Sequence, residues 1–337
     1  MVLKKRTVEE DDSIGGGEGL KAGVVKPWPK KPRKISGSRW AIVVVLAGSL
    51  AACGVLFFYA KIADFRSGLT EPWRLSSVVE QTGEEVARAT PTPDTGELLT
   101  QVGEITEGLR GKYGFYVKHI GNGSDYGLKQ DEVYPAASLM KLPVIIALYE
   151  EAETGKLDLE TEYVLKAADK AGGAGVLQGK ANGSSWSYRQ MVEMMGKYSD
   201  NTAFAVFRRL LGDERIEKTI GKIGLEKTSL ASFESSPAEI GKLFYWLYSG
   251  GLAKNSREEI LAFLTETIYE ERIPAGVPEG IRVAHKVGTD LGVFADGGIV
   301  FAEKPYVLVI MTEGARDDEA KEAVVKISRA VWNFENR

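Results

Sequence analysis

Two residues at the start of a predicted helix have the types and the spacing for nucleophilic chemistry. Ser138 and Lys141 are three positions apart, so a helix presents their side chains on the same face. A lysine in this position can hold the serine hydroxyl or take its proton, and the helix N-terminus favours a developing oxyanion. A polar helix start beside a solvated lysine gives the same pattern, and Ser-x-x-Lys arises by chance about once in a chain of this length. The pair alone therefore leaves both interpretations open.

Two further strings are rarer and lie on different elements. Ser-Asp-Asn occupies residues 199–201, on a predicted turn between two helices, and Lys-Val-Gly-Thr occupies residues 286–289, on a predicted strand. The first string is also typical of simple N-capping of the next helix. The second is also typical of an edge strand that carries a lysine against aggregation and ends at a turn glycine.

Composition limits the chemistry that these strings could share. The chain has 337 residues, 44% of them hydrophobic, and a net charge of −4, which gives no indication of a nucleic-acid partner. One cysteine, Cys53, excludes a multi-cysteine zinc site or a disulfide framework. A Ser-His-Asp triad would have to use His119 or His285, which are the two histidines of the sequence.

The elements that position the strings follow from hydrophobic periodicity. A helix over 95–109 precedes two strands, one over 114–120 and one that runs to about Val133. A long helix from near Ser138 to Glu153 opens a helical middle, in which residues 187–190 and 236–239 have capping-box patterns. Three strands and a terminal helix follow, over 282–287, 297–302, 307–312 and from about 317. This order predicts an α+β (α/β sandwich) domain, with an antiparallel five-stranded sheet, helices on its faces and an all-helical subdomain.

The region before this domain has a different character. Residues 1–39 are polar and rich in Gly and Pro, which predicts a disordered tail, whereas residues 40–60 contain no charged side chain and are long enough for one transmembrane helix. Residues 61–94 form a predicted linker, and residues 95–337 the folded domain. Basic residues are denser before the span than after it, which predicts a cytoplasmic N-terminus and an extracytoplasmic domain on a single-pass anchor in the lipid bilayer.

A lipoprotein signal is the alternative for this region. Residues 50–53 (Leu-Ala-Ala-Cys) resemble a lipobox, which would make a lipidated Cys53 the mature N-terminus. Against this, the apolar run continues to Tyr59 and the leading tail is long for a signal peptide. Both interpretations leave the domain outside the cell and attached to the membrane.

The three strings occur in the order, and on the kinds of element, that are the signature of class A β-lactamases and penicillin-binding proteins. Residues 173–178, and residues 285–289 together with 296–300, also resemble that family. Residues 95–337 are therefore similar over essentially their whole length to the class A β-lactamase-like serine hydrolases.

The resemblance implies a role for each matching residue. Ser138 would attack an amide or β-lactam carbonyl and become acylated, with Lys141 as a candidate base. Ser199 would pass a proton to the leaving nitrogen, and Asn201 would hold the side-chain amide of the substrate. Lys286 would supply positive charge near Ser199 and the substrate carboxylate.

The resemblance also implies the binding groups and the partners. Gly288 and Thr289 would line the substrate-binding strand, and the backbone N–H groups of Ser138 and Thr289 would form the oxyanion hole. The partner would be a β-lactam or a peptidoglycan peptide, and no metal or organic cofactor is needed. Asp200, and both histidines, are interpreted as structural.

Two departures from the family pattern bear on turnover. The loop that carries the deacylating glutamate of class A enzymes is shortened between residues 224 and 237. Glu234 is the nearest candidate, although it lacks the Glu-x-x-x-Asn context and a solvated loop carboxylate is the alternative. Val287 occupies a position where a hydroxyl usually assists the carboxylate of the substrate.

Three functions are compatible with these features. A β-lactamase would need Glu234 to activate water, whereas a penicillin-binding D,D-peptidase-like cell-wall enzyme would acylate by the same apparatus and deacylate slowly. A non-catalytic module that retains the fold is the third, and the intact serine and lysine residues argue against it. We predict a membrane-anchored serine hydrolase of the class A type.

Overall fold

The structure, a computed structural model, describes residues 95–337. The predicted tail, transmembrane helix and linker, together with Cys53, lie outside the described residues. Within residues 95–337, no helix is long and apolar enough to span a bilayer.

A five-stranded antiparallel sheet forms the centre of the domain, as predicted. The strands are β1 (Lys112–His119), β2 (Asp125–Leu128), β3 (Tyr134–Pro135), β4 (Glu162–Val164), β5 (Ser185–Ser187), β6 (Glu234–Ser235), β7 (Val283–Asp290), β8 (Val293–Val300) and β9 (Tyr306–Glu313). The order in the sheet is β2-β1-β9-β8-β7. Strand β7, which carries the Lys-Val-Gly-Thr string, is therefore an edge strand.

Helices cover both faces of this sheet. They are α1 (Gly96–Thr106), α2 (Lys141–Glu153), α3 (Tyr188–Lys197), α4 (Asn201–Leu211), α5 (Asp213–Ile223), α6 (Pro237–Tyr248), α7 (Lys254–Leu264), α8 (Ile273–Gly276) and α9 (Asp317–Glu335). On one face, Leu98 of α1 and Val324 of α9 share a core with Phe115 of β1. On the other face, Ile145 of α2 and Leu243 of α6 belong to a larger core that extends through the helical region. Burial of such side chains contributes about 1.5–3 kcal/mol each and fixes the site between two packed layers.

The structure corrects three details of the predicted elements. The second strand ends at Leu128 and not near Val133, because a turn intervenes before β3 pairs with β6. The helix predicted to begin near Ser138 starts with a 3-10 turn, Ala137–Met140, and only then becomes α2. The subdomain is not all-helical, since β3 and β6, and likewise β4 and β5, form short antiparallel ribbons.

The two predicted capping boxes differ in how fully they form. In the first, the Ser187 side chain accepts from the Gln190 N–H at 3.2 Å, and the Gln190 side chain accepts in return from the Ser187 N–H at 3.0 Å. In the second, Ser236 accepts from the Glu239 N–H at 3.3 Å. Glu239 instead accepts from the N–H groups of Glu226 and Lys227 and from the Thr228 hydroxyl. The second pattern caps α6 but uses its glutamate to hold the preceding loop.

Candidate active site

A tight turn between β3 and α2 presents Ser138 at the surface of the domain. Ala137 adopts a φ of +46°, a left-handed conformation that residues with a Cβ rarely adopt and that costs on the order of 1–3 kcal/mol. The turn is held from one side by Ala136, whose N–H donates to the Phe233 carbonyl at 2.7 Å. From the other side, β7 approaches so closely that a Cβ on Gly288 would lie 2.6 Å from the Ala136 carbonyl oxygen. Ser138 itself is half-buried, so its hydroxyl remains accessible.

The Ser-Asp-Asn turn between α3 and α4 is fixed by its central residue. Asp200 is fully buried and caps α4 by accepting from the Ala203 N–H at 2.9 Å. Its other oxygen accepts from the N–H groups of Val176 and Leu177, at 2.6 and 2.8 Å. Asp200 thus has the turn-supporting contacts that the sequence indicated, and it helps to hold Ser199 at a φ of +52°.

A glycine-rich loop lies against this turn. A Cβ on Gly175, where φ is +112°, would lie 2.4 Å from a carboxylate oxygen of Asp200, so only glycine fits. The Asn201 amide donates to the Gly172 carbonyl at 2.8 Å. A Cβ on Gly173 would lie 2.7 Å from that amide nitrogen. The loop therefore sets the orientation of Asn201 and leaves its amide oxygen facing the site.

Lys141 brings the first two strings together. Its Nζ lies 2.9 Å from Ser138 Oγ, 3.0 Å from Ser199 Oγ, 2.5 Å from the Ser199 carbonyl oxygen and 2.7 Å from Asn201 Oδ1. The two carbonyl oxygens can only accept hydrogen bonds, so each takes one N–H of the lysine. The Ser138 and Ser199 hydroxyls share the third N–H of the protonated lysine. A neutral amine would instead direct its lone pair toward one of these two hydroxyls.

The environment of Lys141 favours that neutral amine. The side chain is 3% exposed, and burial lowers its pKa to about 8, against the opposing effect of the Asp200 charge. Roughly a tenth of Lys141 is therefore deprotonated at pH 7 and about half at pH 8, so a neutral amine is available as a general base.

Lys286 is a second amine that contacts the Ser199 hydroxyl. It is 1% exposed, and its Nζ donates to Ser199 Oγ at 2.9 Å and to the Val287 carbonyl at 3.0 Å. Burial, together with the nearby charge of Lys141, holds the pKa of Lys286 well below its usual value. Ser199 is thus placed between two amines and can exchange a proton with either.

The end of β7 carries the predicted binding residues and is contacted by one residue that the sequence did not reveal. Thr289 is exposed at the edge of the site, and Val287 is buried and contributes its backbone carbonyl rather than a hydroxyl. Arg272, 2% exposed, donates to the Gly288 carbonyl at 3.0 Å and to the Thr289 hydroxyl. Arg272 lies in a connecting segment without periodicity, so its sequence neighbourhood offered no signal.

Glu234 stands apart from the group. It lies on β6, where its backbone pairs with Ser229 and its position is opposite Pro135. Its side chain is exposed and, within residues 95–337, forms no hydrogen bond or ion pair with Ser138 or Lys141.

Two aromatic side chains lie near Lys141. The ring of Phe204 is centred 5.8 Å from Lys141 Nζ and packs edge-to-face on Phe233, with 5.9 Å between the ring centroids. In the part of the chain that the structure describes, Lys141 has no carboxylate within ion-pair distance. No group of three or more His, Cys, Asp or Glu side chains there is arranged to hold a metal ion.

Known proteins share this architecture and part of the sequence. A model described as the "Beta-lactamase enzyme family" matches residues 97–334. Beta-lactamase VEB-1 of Pseudomonas aeruginosa is 20% identical over 276 residues, which is 71% of this chain and 91% of that protein. The crystal structure of a β-lactamase from Sphaerobacter thermophilus is 28% identical with a TM-score of 0.68, covering 72% of this chain and 97% of that one. A variant of PBP-A, solved as an acyl-enzyme complex with penicillin G, is 26% identical with a TM-score of 0.67 and the same coverage.

The family match covers more than half of the chain and includes all three strings of the site. The chain therefore belongs to the β-lactamase enzyme family and is a serine hydrolase of that family.

Proposed function

We propose that the domain is a penicillin-binding acyl-transfer hydrolase, acylated at Ser138 by β-lactams and by peptide amides, with slow release of the acyl group. The observation that supports acylation is the 2.9 Å contact between Ser138 Oγ and the Nζ of Lys141, whose pKa is lowered. Support for the substrate class comes from the PBP-A variant, which forms an acyl-enzyme with penicillin G.

The proposed acylation uses the residues in sequence. Ser138 Oγ attacks the carbonyl carbon while its proton passes to the neutral Lys141, and the backbone N–H groups of Ser138 and Thr289 receive the oxyanion. The C–N bond then breaks, and the leaving nitrogen takes the Ser199 hydroxyl proton. A proton from the Lys141 ammonium, 3.0 Å away, restores the Ser199 hydroxyl. Lys286, which also donates to Ser199, would keep this hydroxyl aligned. A substrate carboxylate beside Lys286 would favour its protonated form and so be met by positive charge.

Slow release is favoured by the surroundings of Lys141. Hydrolysis of an ester on Ser138 needs a group that can deprotonate water beside it. The Nζ of Lys141 is already bonded to Ser199 and Asn201. The ring of Phe204, centred 5.8 Å from that Nζ, packs on Phe233, and neither ring can accept a proton. A wall-peptidase role is therefore favoured over that of an efficient β-lactamase.

A burst experiment separates these two roles. A chromogenic cephalosporin mixed with the full-length chain in detergent should give a burst of about one equivalent of opened lactam, followed by a much slower steady rate. The burst would mark acylation and the slow phase release. Rapid linear turnover without a burst would contradict slow release, and absence of any lactam opening would contradict the proposed function.

Glu234→Gln is expected to leave both the burst and the slow phase unchanged within about twofold, because the exposed side chain has no contact with the reacting residues. Steady-state turnover measured beside that of the parent chain checks this. A fall of tenfold or more in the slow phase, with an intact burst, would identify Glu234 as the group that activates water.

We also propose that residues 40–60 anchor the protein as a single-pass helix, with the domain outside the cell. Two features of the sequence support this proposal. Residues 40–60 carry no charge and are long enough to cross a bilayer as a helix, and basic residues are denser before them than after them. Deleting residues 1–61 should move the protein from the membrane fraction to the soluble fraction with its penicillin labelling retained. A truncated protein that stays in the membrane fraction would contradict a single anchor.

Cys53→Ser distinguishes the two kinds of anchor. The helix predicts unchanged membrane association and unchanged mass apart from the substitution. If the parent chain carries a lipid and is cleaved before Cys53, and the Cys53→Ser chain shows neither, the protein is a lipoprotein.

A further inference from the structure

A buried histidine–aspartate pair lies on the face of β7 opposite Lys286. His285 and Asp296 are both fully buried, and His285 Nδ1 lies 2.9 and 3.0 Å from the two carboxylate oxygens. Gly298, opposite His285 on β8, makes room for it, since a Cβ there would lie 2.5 Å from the histidine Cβ. Burial alone lowers the pKa of His285, but the charge of Asp296 and its hydrogen bond outweigh burial and raise it to about 9. The ring is thus an imidazolium at neutral pH.

The second ring nitrogen reaches a different element. His285 Nε2 lies 2.9 Å from Thr267 Oγ1, in the segment that connects α7 to α8. An imidazolium donates from both nitrogens, so Thr267 accepts from the ring as well as from the Tyr269 N–H at 3.2 Å. Asp296 in turn accepts from the Ile273 N–H at 3.0 Å. The ion pair therefore ties both ends of segment 267–273 to the sheet.

Two residues of this segment contact the candidate site. Arg272 donates to the Gly288 carbonyl and to the Thr289 hydroxyl, at the end of β7 that carries the predicted oxyanion donor. Tyr269 donates from its hydroxyl to the Tyr198 carbonyl at 3.2 Å, one residue before Ser199. Within residues 95–337, neither side chain forms a hydrogen bond or an ion pair with His285, so the histidine would act on the site through the segment that it holds.

We propose that His285 is a positioning residue of this active site: paired with Asp296 and bonded to Thr267, it fixes segment 267–273 and thereby Arg272 and Tyr269. The inference rests on the proposed function, because it assigns His285 a role in binding the acylating substrate.

The charged groups around the pair determine its response to pH. Besides Asp296, Glu270 lies 4.0 Å from His285 Nε2, and the Asp296 charge also interacts with those of Arg272 and Lys286. The pKa of His285 in the folded chain lies above its ordinary value. The pair therefore stabilises fully below about pH 6.5, and this stabilisation is lost as the pH rises through about 9.

His285→Asn tests the role in the full-length chain. Asparagine can still donate to Asp296, but it carries no charge and cannot bond Asp296 and Thr267 at once. We expect the dissociation constant of the non-covalent penicillin complex to rise roughly tenfold or more through misplacement of Arg272, with the acylation rate constant changed less than about threefold. A purely structural role would lower the amount of active protein and leave that constant unchanged.

Two threonine variants provide the comparison. Thr267→Val removes the acceptor of the Nε2–H while leaving the ion pair, and it should weaken penicillin binding in the same direction by a smaller factor. Thr312→Val removes another buried hydroxyl of the same sheet, one that bonds only Phe294, and binding should stay as in the parent chain. Equal effects of the two variants would contradict the proposal.

A direct readout does not depend on any His285 variant folding. The chain has two histidines, so ¹⁵N-histidine labelling gives two ring systems, and His119→Gln assigns them. Both ring nitrogens of His285 should remain protonated at pH 7.5 and titrate near pH 9. A ring whose Nδ1 carries no proton at pH 7.5, or a His285→Asn chain with parental binding, would overturn the inference alone. A parent chain that forms no penicillin adduct would overturn the proposed function and this role with it.

Discussion

Replacing Ser138 with alanine should abolish covalent labelling by penicillin, with a fall in acylation rate of about 10⁴- to 10⁶-fold. Ser138 Oγ is the hydroxyl that is both accessible and within 2.9 Å of the Lys141 amine, and no acyl-enzyme can form without it. A fluorescent penicillin, followed by denaturing electrophoresis over hours, measures the loss.

The control is a serine on the neighbouring loop. Ser232 is exposed, and Ser232→Ala should label as fast as the parent chain. Thermal unfolding of both variants would establish that each is folded. Persistent labelling of the Ser138→Ala chain would move the nucleophile elsewhere.

Replacing Lys141 with methionine should slow acylation by about 10²- to 10⁴-fold while leaving Ser138 in place. Methionine fills most of the volume of the buried stem, but it removes the amine that contacts Ser138, Ser199 and Asn201. The parent chain should also show a pH dependence that the variant lacks. Because burial lowers the pKa of Lys141 to about 8, the neutral amine and the acylation rate should both increase as the pH rises through about 8. Stopped-flow acylation between pH 6 and 8.5 measures both effects.

Lys156→Met is the matched control, since Lys156 is an exposed lysine just after the same helix. It should retain the parental rate and the parental pH profile. A Lys141→Met chain that acylates at the parental rate, or that keeps the rise near pH 8, would exclude Lys141 as the base.

The sheet and the reactive residues could both be predicted because each leaves a local pattern in the sequence. Strands β8 and β9 are mainly apolar and are bounded by turn residues, and helix α9 has apolar residues at helical spacing. Periodicity detects both patterns. Short sequence motifs that indicate nucleophilic chemistry contain Ser138, Lys141, Ser199 and Lys286. Their mutual distances were predictable only through the family resemblance, because the contacts join residues far apart in the chain.

Other features depend on contacts that leave no local pattern. The 3-10 turn before α2 is set by the Phe233 carbonyl and the close approach of Gly288, both distant in sequence. Arg272 and Thr267 occupy a connecting segment in which neither periodicity nor a motif marks them. Strand alternation places His285 and Lys286 on opposite faces of β7, but it does not show that the His285 ring bonds Asp296 and Thr267.

Glu234 illustrates the limit of searching by residue type. A glutamate near the expected position could be found in the sequence, but the direction of its side chain depends on the ribbon formed by β3 and β6. That ribbon leaves the carboxylate exposed, with Phe204 packed on Phe233 near Lys141. Glu234, the glutamate closest to the expected position in the sequence, is therefore not among the contacts of the Lys141 amine.

The central claim is that a covalent acyl-enzyme forms on Ser138 and lasts. The most direct test is to mix the full-length chain with benzylpenicillin, quench at intervals and map the adduct by mass spectrometry after trypsin digestion. Ser138 is the only serine in the tryptic peptide of residues 130–141, so the site is unambiguous there. We predict that this peptide gains the mass of one intact penicillin and keeps it long after the free drug is removed. An adduct on another peptide, or no adduct in a folded chain that does not consume penicillin, would contradict the account.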